Sequence, residues 1–160
     1  MGWGVNLSMR HVRIFLFIAL VFLANLKLSV FGFRPDLVSF LVYWFGYSHS
    51  FQGGMLFGAS LGAAEDVLNM ALVGPGMLGK AAIGFLAAFL SKGFFKWTPL
   101  LGFFGALTLT IAGGLLEFAC NYVFGKAPEG LFREGILVLV SQAFVNGILG
   151  IFLRPAISEP

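Results

Sequence analysis

Long apolar stretches, broken by short polar or Gly/Pro segments, divide this chain into six. Apolar residues run almost unbroken from Ile14 to Phe33 and stop at Arg34-Pro35-Asp36. Pro35 suits the first turn of a new helix, and Asp36 favours the positive end of its dipole. The second run, Leu37 to Tyr47, is short for about 30 Å of hydrocarbon. Near its end stand Tyr43, Trp44 and Tyr47, an aromatic group of the kind that anchors at a membrane interface. The third run, Gln52 to Val73, ends at the turn signal Gly74-Pro75-Gly76. The fourth is again short, from Met77 to Leu90, and Lys92, Lys96 and Trp97 follow it. Pro99 opens the fifth, which reaches Phe124 before the polar connection Gly125-Lys126-Ala127-Pro128-Glu129-Gly130. The sixth ends at Arg154-Pro155. The pattern predicts an all-α integral membrane domain over residues 1–160, with six transmembrane helices, two of them short. The expected spans are 14–33, 35–48, 52–73, 76–91, 98–124 and 133–153.

Within the third run, Gly54, Gly58 and Gly62 recur every four residues and Asp66 extends the stripe by one step. Four residues advance about 400° around a helix, so these positions lie close to one face. Glycines there let a neighbouring backbone approach, as helices do inside lipid. Asp66 therefore points into the protein, where an ionised carboxylate needs compensation. Asn69, one turn on, can share that face.

Composition agrees with a membrane chain: 59% of residues are apolar and only 11% charged, against about a quarter charged in soluble domains. Twenty phenylalanines in 160 residues exceed what a soluble core of this size could hide. Little chain is left for a separate catalytic domain. The net charge of +3 comes without a basic cluster, so nucleic acid is not an expected partner. Arg10, Arg13, Lys92, Lys96 and Arg154 fall on one side of the expected membrane, and Arg34, Lys80, Lys126 and Arg133 on the other. Weighting the first span most places both termini in the cytoplasm. Arg10 and Arg13 before an apolar run mimic a signal peptide, but no small-residue cleavage site follows; an uncleaved first span is expected.

Counting residues along each span puts Lys27, Asp66, Lys80 and Glu117 in one layer, roughly 5–12 Å below the outer surface. Glu65 shares that depth, about 100° around the helix from Asp66. Either the lysines snorkel outward and the carboxylates are neutral or hydrated, or the charges meet inside. The glycine stripe favours pairing for Asp66, with Lys27, Lys80 and Glu117 as candidate members of the cluster and the choice of partner open. Glu117 with Asn121 and Gly113-Gly114, and Gln142 with Asn146 and Gly150, form two further stripes suited to interhelical hydrogen bonding.

Catalytic chemistry has little to stand on. His11 and His49 are isolated, Cys120 is the single cysteine, and no metal-ligand spacing, phosphate loop or nucleophile–base motif occurs. No enzyme, metal or cofactor is expected.

Arg34-Pro35-Asp36-Leu37-Val38 leading to Tyr43-Trp44, then Gly54, Gly58, Gly62 and Asp66, then Leu78-Gly79-Lys80, together resemble MreD, the small membrane protein family of the bacterial rod-shape machinery. The resemblance covers most of the chain and is densest over residues 34–90. Glu65 is an extra acid relative to that pattern, and the second half matches mainly in hydropathy. The resemblance implies a six-helix inner-membrane protein acting with MreC, and with MreB, RodA and a transpeptidase penicillin-binding protein in the wider elongation complex. The implied role is to hold and regulate side-wall peptidoglycan synthesis. A fold similar to the substrate-binding subunits of energy-coupling-factor vitamin transporters is also implied, with Pro35, Asp36 and Asp66 fixing the helix arrangement. The same architecture supports an alternative, a vitamin-binding transporter subunit. The alanine-x-x-x-alanine docking motif common in such subunits is missing from the first span, where Ala19 and Ala24 stand five apart.

Overall fold

The computed structural model describes residues 20–21, 36–93, 97–124 and 131–152. Among these the protein is all-helical, with five helices: α1 (Leu37–Ser48), α2 (Phe51–Leu68), α3 (Pro75–Gly93), α4 (Pro99–Val123) and α5 (Leu131–Phe152). The expected first span and Pro35 lie outside the described residues, apart from helical Leu20 and Val21; Val21 packs against the core.

Helix starts follow local chemistry. Asp36 caps α1 by accepting from the Ser39 N–H at 2.9 Å, and Ser50 caps α2 through the Gly53 N–H at 3.1 Å. Thr98 caps α4 through the Leu101 N–H at 3.1 Å, with Pro99 in the first turn, where its missing N–H does no harm.

α1 is the innermost element. Eight of its 12 residues are buried, so it meets neighbours on most of its circumference and lines the core with Val38, Val42, Tyr43 and Tyr47. α3 packs against α1, α2 and α4, and α5 closes onto α4. α4 and α5 are long and apolar enough to cross a membrane, while α1 and α3 contain shorter apolar segments. Only 33% and 22% of the membrane-length windows in α4 and α5 are buried. Most of their apolar surface therefore faces outward, unlike the core helix of a soluble domain.

Glycines set the closest helix contacts. Along the antiparallel α2–α3 pair, a Cβ added at Gly54 would strike the Gly84 carbonyl, one at Gly58 the Lys80 carbonyl, and one at Gly62 the Gly76 carbonyl. The Gly54–Gly58–Gly62 stripe thus meets a second four-residue stripe, Gly76–Lys80–Gly84. Gly46 of α1 also abuts Gly84, Gly79 of α3 meets Gly113 of α4, and Gly102 of α4 meets Gly150 of α5.

The expected third span ran to residue 73, yet α2 stops at Leu68. The Met70 N–H donates to the Val67 carbonyl at 3.1 Å and the Ala71 N–H to the Asp66 carbonyl at 2.9 Å. Met70 takes a left-handed conformation, φ 51°. This double bond with a left-handed residue is the Schellman ending, usually made by glycine. Apolar periodicity through Leu72-Val73 hides it. Met70 is 96% exposed, so replacing it removes little packing. Met70→Gly is expected to raise stability by about 1 kcal/mol through relief of left-handed strain. Thermal unfolding of the purified protein in detergent measures it, and a lowered midpoint would rule out strain at this residue.

Candidate functional site: a buried charge cluster

The register of the α2–α3 glycine contacts decides where the charges go. The Lys80 backbone lies against Gly58, and the lysine side chain extends toward the last turns of α2, where it is 3% exposed. Its Nζ stands 2.7 Å from Glu65 Oε2, 3.8 Å from Glu117 Oε2 and 3.9 Å from Asp36 Oδ2. One ammonium from α3 therefore gathers carboxylates from α2, α4 and the cap of α1.

Helix dipoles sharpen the need for this arrangement. Glu65 sits in the last turn of α2, where partial negative charge opposes a carboxylate. Glu65 is better placed against Lys80 than alone. Asp36 serves twice: its carboxylate caps α1, accepting from both the N–H and the hydroxyl of Ser39, and it also faces Lys80.

Asp66 behaves differently from its expected pairing with a lysine. Among the described residues it makes no ion pair; its Oδ2 accepts from the Gly74 N–H at 2.9 Å and the Met77 N–H at 3.3 Å. Gly74, at φ 143°, precedes α3 and has no side chain with which to cap it. Asp66 supplies the missing cap from the preceding helix, and its carboxylate fills the space a Cβ at Gly76 would need. The rotation of about 100° between consecutive residues explains the division of labour. Glu65 faces Lys80, whereas Asp66 faces the start of α3.

The remaining expected residues separate by location. Gly54, Gly58 and Gly62 lie in the α2–α3 seam, and Lys80 and Glu117 belong to the cluster. Lys27 and Pro35 lie outside the described residues. Asn69 was expected on the interhelical face; it is exposed and caps the C-terminus of α2, because the helix ends there. Of the α5 stripe, Gly150 contacts Gly102 and Asn146 is fully buried. Asn146 Nδ2 donates at 3.0 Å to both the Asp36 carbonyl and Thr110 Oγ1. This side-chain amide links α5 to α4 and to the cap of α1, directly behind the cluster.

Two features escaped the sequence reading: Glu65 as the nearest partner of Lys80, and Asn146 as the support of Asp36. The four-residue spacing of Gly76, Lys80 and Gly84 was the available signal for the first, since it mirrors the α2 stripe. Among the described residues no group of three or more His, Cys, Asp or Glu side chains is arranged to hold a metal ion. Compared with family models, curated proteins and solved structures, the chain matches none.

Lys80→Met removes the shared cation and leaves three carboxylates facing one another. We expect a loss of about 3–5 kcal/mol, the range for breaking a buried pair, measured as a lowered unfolding midpoint in detergent. An unchanged midpoint would show that the cluster is solvated. Asp66→Asn keeps one acceptor oxygen and should be mild. Asp66→Ala strands two backbone N–H groups, at about 1–3 kcal/mol each. Equal damage from the two variants would mean that the charge of Asp66 matters, not its capping.

Proposed function

We propose that this protein is a non-enzymatic scaffold of the MreD type, acting with an MreC-like partner in the complex that builds the side wall of rod-shaped bacteria. One observation carries the reading. The residues behind the resemblance are also those that fasten the helices: Asp36 caps α1 and faces Lys80, the α2 glycines seat α3, and Asp66 caps it. A chain that commits its interior charges to its own joints suits the task of holding a fixed shape for partners.

In this reading the chain has six spans, the first being residues 14–33, and lies in the inner membrane with both termini in the cytoplasm. Its fold is of the kind used by substrate-binding subunits of energy-coupling-factor transporters. The wider complex brings MreB, RodA and a transpeptidase penicillin-binding protein.

One observation favours the second reading, a vitamin-binding transporter subunit. The Tyr43 hydroxyl and Asn146 Oδ1 are buried, and neither has a hydrogen-bond partner among the described residues. A small polar ligand is one way to satisfy such atoms. Affinity purification of the tagged protein from native membranes, with identification of what accompanies it, separates the readings. The scaffold is expected to retain a single-span MreC-like protein, and its depletion should round the cells. Unaltered cell shape after clean depletion counts against the scaffold. Nanomolar retention of a vitamin by the purified protein would establish the alternative.

A further inference from the structure

Of the carboxylates gathered around Lys80, Glu117 is the one left open. Lys80 Nζ lies 2.7 Å from Glu65 but 3.8 Å from Glu117, and Ser39 donates twice to Asp36. Glu117 has no such donor among the described residues, and its side chain is 39% exposed against 18% for Asp36. That exposure is not on the lipid flank. Glu117 follows Gly113 by four residues and Thr110 by seven, which puts all three within about 60° of one another around α4. Gly113 and Thr110 are buried. A Cβ added at Gly79 of α3 would stand 3.5 Å from the Glu117 Cβ. The side chain therefore faces the bundle interior, and it is reached from the end of the bundle where α1 begins.

A second observation lies just inside this opening. Asn146 is fully buried, and its amide stands against the cluster. Nδ2 donates to the Asp36 carbonyl at 3.0 Å, while Oδ1, on the same carbon, has no hydrogen-bond partner among the described residues. A buried acceptor left without a donor is unfavourable. Glu117 and Asn146 Oδ1 thus lack the same thing. A metal ion answers poorly, because it needs several carboxylate oxygens at about 2.0–2.6 Å, and the Lys80 ammonium already stands between them. An organic ammonium or guanidinium needs only the lone pairs turned away from Lys80, and it brings several N–H donors with its charge.

We propose that this opening binds a small organic cation, a primary ammonium or guanidinium compound. The charged head sits between Glu117 and Asp36, opposite Lys80. Asn121, one turn beyond Glu117 and half-buried, stands at the rim. Asn146 Oδ1 marks the inner limit, an acceptor for a donor that enters past Asp36. Charge sets the ligand class: an anion would meet Glu117 first, and a neutral molecule would leave that carboxylate unanswered. A scaffold and a transporter subunit can each carry such a site. Its occupancy is therefore measured apart from partner retention, and either result stands without the other.

The full chain, purified in neutral detergent with about 0.15 M NaCl to screen non-specific attraction, is titrated by calorimetry with benzylamine and with agmatine. The first probe is an ammonium, and the second carries a guanidinium as well. Benzyl alcohol and benzoate are the neutral and anionic controls. Saturable one-site binding tighter than about 1 mM is expected for at least one cation and for neither control. The bound cation should also raise the unfolding midpoint. Glu117→Gln should weaken binding by about tenfold or more, the range for a hydrogen bond to a charged group. Asp36→Asn keeps an oxygen to cap α1 and should weaken binding several-fold; it serves as the variant if Glu117→Gln does not fold. Unfolding midpoints without probe establish that each variant is folded. Neither saturable heat nor a midpoint rise with both cations would overturn the site. Equal affinity for either control, or undiminished affinity in folded Glu117→Gln, would overturn it as well.

Discussion

A single ammonium group organises the charged end of this protein. Lys80 Nζ is almost wholly removed from solvent and lies within 4 Å of carboxylates from three other elements. Desolvating a lysine is unfavourable by several kcal/mol, and one carboxylate at good distance recovers only part of that. Convergence of several carboxylates on one ammonium changes the balance. Glu65, at the negative end of α2, gains a cation, and Asp36 is already held by Ser39. The group is stable as a group. No one of its pairs would justify burial alone.

That convergence depends on how closely the helices approach. The α2 and α3 backbones touch at three successive glycine levels, and the Lys80 carbonyl is the contact at the middle one. Bulk at Gly58 would push α3 outward at Lys80 itself, so the ion pairs and the glycine seam are one constraint seen from two sides. Dispersion across such a seam is short-ranged, and small gaps forfeit much of it. The ionic contacts fall off more slowly but need the 2.7 Å approach to Glu65 to offset desolvation. Packing sets the distance and the register, and the charges meet where that register puts them.

Much of this was legible in the sequence, and the illegible parts have physical reasons. The α2 stripe declared itself because glycine at a four-residue period has little other use in an apolar helix. Lys80 and Glu117 were expected in one layer, and their side chains stand 3.8 Å apart. Azimuth did not transfer, since a neighbour's direction depends on packing between helices. Asp66, at the end of the glycine stripe, looked like the natural lysine partner; Glu65, one residue earlier, holds that place. The end of α2 was hidden because Leu72-Val73 continue its apolar rhythm while a methionine takes the glycine-like conformation. The Asn146–Asp36 link joins residues 110 apart, beyond the reach of any local pattern.

The start of α1 is tied to the same cluster. At its far end the helix finishes in rings: Phe45 stacks between His49 and Phe57 at 3.8 and 3.9 Å, and Tyr47 meets the edge of Trp97 at 5.1 Å. At its near end it stops at Asp36, level with Lys80. Were α1 to begin a turn earlier, helical backbone would occupy the place where a flexible carboxylate now reaches the ammonium. The first turn would also lose the side chain that satisfies its N–H groups. Because α1 begins at Asp36, its cap can share Lys80 with carboxylates from α2 and α4. Asp36 thus joins the start of α1 to the buried lysine.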